Sequence, residues 1–265
     1  MNKKYSILTY IFNGYEILHE IQYPQEDVEY ICVTDDPNLK SETWTVICDH
    51  DLDGLSPFDK CYKVRFNPWK YVSTDICIRI DGSIGVNNMP DNIVSLFNKY
   101  NYDCAIIVHP YRYNFIAEYE QWIRYRDYPL FNAIKCMGYM ADEGYDFNYK
   151  GLLEQNLVIQ RKNDINKKID AITFDTLKKL GNNGSIERLD QIITSFVLQH
   201  VIKEENINCL FMHEQILMNS PFFTWYMHNS NDINWGAYDP KNIEQANKGY
   251  FFNKMQNLLY INYKN

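Results

Sequence analysis

The chain has 265 residues, of which 46% are hydrophobic and 15% aromatic, and its formal net charge is −8. This length suffices for one large domain, or for a domain with a small subdomain. The acidic balance and the lack of a basic run argue against nucleic acid as a partner.

The apolar runs and the cysteines indicate the cellular compartment of the protein. No stretch approaches the roughly 20 apolar residues that a transmembrane helix needs, and the short apolar run at 7–12 lacks the cleavage site of a signal peptide. The seven cysteines include no CxxC pair, which favours reduced core thiols. We therefore expect a cytoplasmic protein with at most peripheral contact with the inner face of a membrane.

Apolar runs typical of buried strands alternate with stretches of helical periodicity. Strands are predicted at 6–12, 28–34, 43–48, 75–80, 103–108, 156–160 and 208–212. Helices are predicted at 57–71 with an interruption near Pro68, and at 90–100, 114–125, 130–143, 164–180 and 185–202. This alternation predicts an α/β domain with a mixed, mostly parallel central sheet flanked by helices. The domain is assigned to 1–220, and the aromatic-rich segment 221–265 is expected to wrap around it or to form a lid.

The segment 76–86 is the most informative one. Ile76, Ile78 and Ile80 alternate along a predicted strand, and Asp81 and Gly82 follow directly. Ligands bind at the carboxyl ends of strands in open α/β sheets, and a carboxylate there can hold a divalent metal and, through it, a diphosphate. The same residues also fit a plain β-turn with Asp-Gly at its corner, and the local pattern leaves both interpretations open.

Two other predicted strands end in residues that could receive a nucleoside. Tyr10 and Phe12 lead into a tight turn, where aromatic faces could contact a base and ribose. Thr34 and Asp35 close the second strand, and the carboxylate could bond a ribose hydroxyl. The alternatives are a turn with a satisfied aromatic residue in the first case and a polar turn closed by Pro37 in the second.

Further polar candidates lie later in the chain. His109 and Arg112 follow the fifth predicted strand and could contact phosphate or the acceptor, although a lone histidine is more often structural. Arg188, Asp190 and Gln191 open the last predicted helix. Asp190 would be favoured at a helix N-terminus and could orient a sugar hydroxyl or act as a general base. A charged helix face is the alternative interpretation.

Taken in order, these segments resemble a glycosyltransferase-like family that was long catalogued as a domain of unknown function. That family occurs in plant mucilage-related proteins and in bacterial surface-polysaccharide loci. The likeness runs from about residue 6 to about residue 200. The segments that carry it are 10–15, Thr34-Asp35, Tyr62-Lys63, 80–84, 109–112 with Glu118, 151–154 and 188–191.

The resemblance implies a GT-A fold that binds a nucleotide sugar, usually with Mn²⁺ or Mg²⁺ under the diphosphate. Asp81 would stand at the first carboxylate of the family's Asp-x-Asp motif, followed by Gly82. Ser83 stands at the third position, so one ligand carboxylate is missing or supplied elsewhere. His228 could complete a metal site with Asp81.

The resemblance also implies roles for other residues. Asp190 and Gln191, with Arg188 before them, would line the donor sugar. Lys63 and Arg112 could stabilise the departing nucleoside diphosphate in place of a metal. The stereochemical outcome is not fixed by these residues.

The leading expectation is a nucleotide-sugar-dependent glycosyltransferase. Its acceptor would be a glycan or a lipid-linked glycan in bacterial surface-polysaccharide synthesis, such as capsule, O-antigen or lipooligosaccharide. One alternative is a hydrolase or phosphotransferase acting on a phosphorylated or lipid-linked substrate. Another is a non-catalytic module that binds a glycan or a nucleotide.

Overall fold

The computed structural model describes residues 3–87, 91–109, 114–125, 130–144, 151–181, 189–217 and 222–231. The strands are β1 Tyr5–Ile11, β2 Val28–Thr34, β3 Thr45–Cys48, β4 Ile76–Ile80, β5 Ile84–Val86, β6 Cys104–Val108, β7 Leu153–Arg161, β8 Cys209–Met212 and β9 Phe223–Trp225. The α-helices are α1 Pro57–Arg65, α2 Asp91–Lys99, α3 Phe115–Tyr125, α4 Leu130–Asp142, α5 Asp164–Leu180 and α6 Asp190–Glu205. Within these ranges, no helix is both long enough and apolar enough to cross a bilayer.

A seven-stranded sheet in the order β3-β2-β1-β4-β7-β6-β8 forms the centre of the fold. Neighbouring strands are parallel except around β7, which is antiparallel to both β4 and β6. The prediction of a mixed, mostly parallel sheet flanked by helices is therefore confirmed. Because β2, β1 and β4 are adjacent and parallel, their carboxyl ends meet at one edge of the sheet, where open α/β folds bind ligands.

Helices cover both faces of this sheet. Alternate residues of β1 point to opposite faces, as the period of a strand requires. Ile7 shares a hydrophobic cluster with Phe97 of α2, whereas Leu8 shares another with Val64 of α1. A third cluster on the face of α1 joins residues of α3, α4, α5 and α6. Since both faces are packed, the strands read as continuous apolar runs, which is why the sequence identifies them.

Several predicted helix boundaries shift in the structure. The predicted helix 57–71 ends at Arg65, and only a single 3₁₀ turn, Pro68–Lys70, follows it. The predicted helix 164–180 is confirmed with the same bounds as α5, and its cap is Asn163, whose side chain accepts a bond from the backbone N–H of Asn166 at 3.0 Å. The last predicted helix is observed from Asp190, and residues 182–188 lie outside the described ranges.

Two buried side chains of opposite charge, Arg79 of β4 and Asp170 of α5, interact electrostatically without a direct bond between them. Arg79 of β4 donates through Nη2 to Gln155 Oε1 at 2.8 Å, and through Nη1 to the backbone carbonyl of Arg65. Asp170 of α5 accepts bonds from Gln160 Nε2 at 3.0 and 3.2 Å. Burial raises the pKa of Asp170 to about 6, although the charge of Arg79 opposes the rise. Ionised Asp170 is therefore a cost to the fold at neutral pH.

Replacing Asp170 with asparagine is expected to stabilise the protein above pH 6. The folded carboxyl keeps its proton to a higher pH than an unperturbed one, about 6 against 3.8, so its ionisation penalty applies above pH 6 and fades as the pH falls towards 3.8. This shift corresponds to roughly 3 kcal/mol at most. The new amide can also donate to Gln160 Oε1, which is buried without a described donor.

Urea unfolding measured on both sides of this pH window tests the prediction. The gain for Asp170→Asn should be largest at neutral pH and should vanish in acid. Asp164→Asn is the matched control, because Asp164 lies on the same helix and its side chain is fully exposed. An equal gain at both pH values would contradict the assigned cause.

Candidate functional site

The carboxyl end of β4 carries Asp81, and a turn follows in which the backbone N–H of Ile84 donates to the Asp81 carbonyl at 2.9 Å. Leu8 of β1 lies opposite Arg79 of β4, so Tyr10 and Asp81 stand side by side two residues further along. The Tyr10 hydroxyl donates to Asp81 Oδ1 at 2.9 Å. The structure therefore brings together two predicted site residues from distant segments.

Arg65, at the end of α1, connects these residues to Asp190. Its Nη2 donates to Asp81 Oδ1 at 2.7 Å, its Nη1 donates to Asp190 Oδ2, and its Nε donates to the Tyr10 hydroxyl at 2.6 Å. The Tyr62 hydroxyl donates to Asp190 Oδ1 at 3.3 Å. One guanidinium can join three side chains because its donors fan out in a plane. We call Tyr10, Tyr62, Arg65, Asp81 and Asp190 the Arg65 cluster.

Burial differs sharply within the Arg65 cluster. The side chains of Arg65 and Asp190 are 10% and 11% exposed, whereas that of Asp81 is 32% exposed. Burial lowers the pKa of Arg65, but the neighbouring Tyr10, Asp81 and Asp190 outweigh it, so this pKa lies well above its ordinary value. Burial raises the pKa of Asp190, and the Arg65 charge opposes the rise. Asp81, whose Oδ2 has no donor among the described residues, is the member best placed to meet a ligand.

A second group of charges lies at the neighbouring strand ends. Lys60 Nζ lies 2.8 Å from Asp35 Oδ2, and the backbone N–H of Asn13 donates to Asp35 Oδ1 at 2.8 Å. Burial acts to raise the pKa of Asp35, but these bonds outweigh it and the pKa is lowered. Lys60 Nζ is also 5.8 Å from the ring centroid of Phe12, and the side chains of Phe12 and Thr34 are buried. Asp35 is thus an ionised group fixed at the same edge of the sheet.

The segment 222–231 folds over the turn that follows Asp81. Its strand β9 pairs antiparallel with β5, and the backbone N–H of Tyr226 donates to the Ser83 carbonyl at 2.8 Å. His228 Nδ1 lies 2.5 Å from Glu16 Oε1, and the backbone N–H of Asn229 donates to Glu16 Oε2 at 3.0 Å. Glu16, which the sequence did not single out, therefore ties this segment to the β1 side of the site.

Two glycines allow this close approach. A Cβ atom at Gly82 would lie 3.0 Å from Glu16 Cγ, and one at Gly85 would lie 2.6 Å from Tyr226 Cε2. The Tyr226 ring in turn stacks on His19, with ring centroids 3.8 Å apart and planes 18° apart. A side chain at residue 82 would therefore require Glu16 and Ile11 to shift, and one at residue 85 would require Tyr226 to move.

Replacing Gly85 with alanine is expected to displace Tyr226 and to loosen the segment 222–231. Overpacking of this kind costs about 1–3 kcal/mol, and the cost falls on the pairing of β5 with β9. Hydrogen exchange of the segment should speed up. Gly138→Ala in α4 is the matched control, since a Cβ there meets nothing within 4 Å and alanine favours helix. Unchanged exchange in Gly85→Ala would refute the crowding argument.

The residues predicted to bind a metal have other partners in this structure. Asp81 bonds with Tyr10 and Arg65, and His228 bonds with Glu16. Across the described part of the chain, no three His, Cys, Asp or Glu side chains are grouped as a metal ion requires. Arg65 is the cation beside Asp81 in this structure, and Mn²⁺ or Mg²⁺ stays a prediction.

His109 is connected to Asp81 through β7. Its Nε2 lies 3.3 Å from Glu154 Oε1, and Glu154 Oε2 accepts a bond from Asn156 Nδ2 at 2.7 Å. The Asn156 carbonyl accepts the backbone N–H of Asp81 at 2.9 Å. His109 and Glu154 are both buried. They form a buried pair beneath the carboxyl end of β4.

The remaining predicted site residues lie elsewhere. Lys63 is exposed and lines a groove together with Phe66 and Asp170. The backbone carbonyl of Gln191 accepts a bond from Ser195 Oγ at 2.5 Å, in the first turn of α6. Arg112 and Arg188 lie outside the described residues.

Sequence reasoning chose Lys63 on α1 and missed Arg65, which is the central cation of the site. The signal available was local: Arg65 stands between the apolar residues Val64 and Phe66, and both are buried. No protein-family model matches the sequence, and no curated protein matches it at a significant level. The site is therefore interpreted from its own geometry.

Proposed function

We propose that this protein is a GT-A-type glycosyltransferase that moves a sugar from a nucleotide-sugar donor to a glycan acceptor. The observation that carries the proposal is the bridge from Asp81 through Arg65 to Asp190. Those two carboxylates are the ones to which the resemblance gives donor contacts, and they come from segments far apart in the sequence. The acceptor class, a bacterial surface glycan, rests on the resemblance alone.

Within this proposal, Asp81 and Asp190 have different tasks. Asp81 is partly exposed, and its Oδ2 can accept a hydrogen bond from a hydroxyl group of the nucleotide sugar. Asp190 has both oxygens engaged, by Tyr62 and by Arg65, so it positions the guanidinium. A fixed cation beside the reaction site stabilises negative charge that develops on the leaving group without having to reorganise.

Lys60 and Asp35 would hold the nucleoside end of the donor. They lie where β1 and β2 end, next to the buried ring of Phe12. An acidic side chain at such a strand end is suited to bonding a ribose hydroxyl. Lys60 keeps Asp35 ionised and in place, so the carboxylate can accept from that hydroxyl without first losing a proton.

Calorimetric titration with UDP-, GDP- and CMP-sugars tests the proposal. Each titration is made with and without Mn²⁺, because the two carboxylates of the Arg65 cluster outnumber its one guanidinium and a diphosphate brings further negative charge. We expect at least one donor to bind, and Asp81→Asn to weaken that binding. Asp164→Asn, at an exposed position, is the matched control. Absence of binding by every donor in both conditions would overturn the proposal.

A non-catalytic binding module is the second candidate. Ser83 stands where a second carboxylate is expected, and both oxygens of Asp190 are already bonded within the protein. Product analysis separates the candidates, because a transferase consumes donor only when an acceptor is present. A hydrolase consumes donor with water alone, and a binding module leaves it intact.

A further inference from the structure

A groove of about 800 Å³ lies between α5 and the segments that flank α1. Its volume falls within the roughly 300–1,000 Å³ that is usual for small-molecule sites. No member of the Arg65 cluster lines it. The groove is therefore a separate feature of the fold, and nothing in the proposed transfer reaction uses it.

Aromatic rings form the apolar part of the groove. Phe66 and Phe174 pack against each other with ring centroids 6.3 Å apart and planes tilted by 41°. Trp69 lies beside them and is partly exposed. Its Nε1–H is buried and bonds to no described residue, although a buried indole N–H usually finds an acceptor. An aromatic face next to an unused donor suits a ligand that is apolar on one side and carries oxygen atoms at its rim.

The polar part of the groove supplies acceptors. Asp170 lines the groove and is buried, and its carboxylate accepts hydrogen bonds from the side-chain amide of Gln160. A carboxylate has acceptor sites for about four hydrogen bonds, so hydroxyl groups entering the groove can donate to Asp170 beside Gln160.

The charges around the groove balance. Three lysines and three aspartates line it: Lys63, Lys70, Lys167, Asp51, Asp170 and Asp175. Lys70 and Asp51 are themselves an ion pair, with 2.8 Å between Nζ and Oδ2. A balanced lining gives no electrostatic preference for an anion, such as a nucleotide or a phosphopeptide, over a neutral ligand. Saccharide rings combine neutrality, hydroxyl donors and an apolar face.

We propose that this groove is a saccharide-binding site that holds a short neutral segment of a glycan against Trp69 and Asp170. The site is distinct from the Arg65 cluster and does not rest on the transferase function. In a protein that acts on glycans, such a site would retain a chain near the enzyme. In a protein with another function, it would itself be the glycan-recognition surface.

Saturation-transfer NMR and calorimetry on the full chain test the proposal, with maltotetraose, cellotetraose and chitotetraose as probes. We expect at least one probe to bind, Trp69→Ala to weaken binding tenfold or more, and Trp69→Phe to weaken it less because a ring is kept. Binding should persist in Asp81→Asn and in the presence of UDP, since the Arg65 cluster is elsewhere. Failure of all three probes, or unchanged binding by Trp69→Ala, overturns the proposal.

A measurement on the unmodified protein covers the case in which Trp69→Ala does not fold. Hydrogen exchange with saturating probe should slow in peptides covering 66–70 and 167–175. Slowing confined to 10–16 and 81–86 would instead place the sugar at the Arg65 cluster and overturn the groove site. Nucleotide-sugar binding without any tetrasaccharide binding would defeat this inference alone and leave the proposed function standing.

Discussion

Replacing Arg65 with methionine is expected to destabilise the protein by about 3–5 kcal/mol, because it leaves a buried carboxylate without its counter-charge. Asp190 carries most of this penalty, since its side chain is 11% exposed whereas that of Asp81 is 32% exposed. Methionine roughly keeps the apolar stem of arginine, so the loss reports on charge and hydrogen bonds. Urea unfolding of the variant and of the unmodified protein measures the effect.

The pH dependence identifies the cause of this loss. Arg65 lowers the pKa of Asp190 against the rise due to burial, so without Arg65 the pKa of Asp190 climbs further. A carboxyl that is protonated in the folded state needs no counter-charge. The difference between variant and unmodified protein should therefore be largest at neutral pH and should shrink as the pH falls.

Arg161→Met is the matched control for this experiment. Arg161 is partly exposed and donates to the Tyr102 carbonyl at 3.2 Å and to Asn98 Oδ1 at 3.1 Å, with no carboxylate among these partners. The loss of unfolding free energy in Arg161→Met should be smaller than in Arg65→Met, and it should not shrink in acid. A pH-independent loss in Arg65→Met would contradict the role given to Asp190.

Replacing Asp190 with asparagine is expected to lower transferase turnover by about 100-fold or more. The amide keeps an acceptor oxygen for Arg65 but carries no negative charge, so it cannot balance the guanidinium charge and holds it less firmly. Within the Arg65 cluster, Asp81 would then be the one remaining counter-charge for Arg65. The loss should appear in kcat rather than in KM for the donor, because Asp81 and Asp35 are unchanged.

Steady-state kinetics on the best donor from calorimetry measure this loss. Asp164→Asn is the control, because its side chain is fully exposed at the first turn of α5. Its turnover should match that of the unmodified protein. Turnover of Asp190→Asn within tenfold of that value, with the fold intact, would remove Asp190 from the catalytic machinery.

The strands could be predicted because most of them are buried on both faces and so read as apolar runs. The first three residues of β7 escaped because they include Glu154 and Gln155, polar side chains that are buried only because His109 and Arg79 meet them. Strands β5 and β9 were missed because each has three residues and pairs with a segment far along the chain. Local patterns do not carry such long-range pairings.

In the candidate site, too, the residues marked by local sequence were predicted and those that depend on long-range contacts were missed. Tyr10, Asp81 and Asp190 were predicted because each stands at the end of a strand or the start of a helix. Arg65 and Glu16 were missed because their importance depends on what the fold places next to them. The spacing of residues along the chain indicates where a strand ends. It does not indicate which cationic side chain of another element will contact the residues at that strand end.

The pairing of β5 with β9 has a consequence for how the protein is made. Residues 84–86 find their partner strand only when residues 223–225 have been synthesised. Until then, the nascent chain presents β5 as an unpaired edge, which is a ready template for pairing with another chain. The turn beside Asp81 is thus among the last parts of the described fold to close as the chain leaves the ribosome, and translation that stops before residue 223 would release a protein with its strand-end site uncovered.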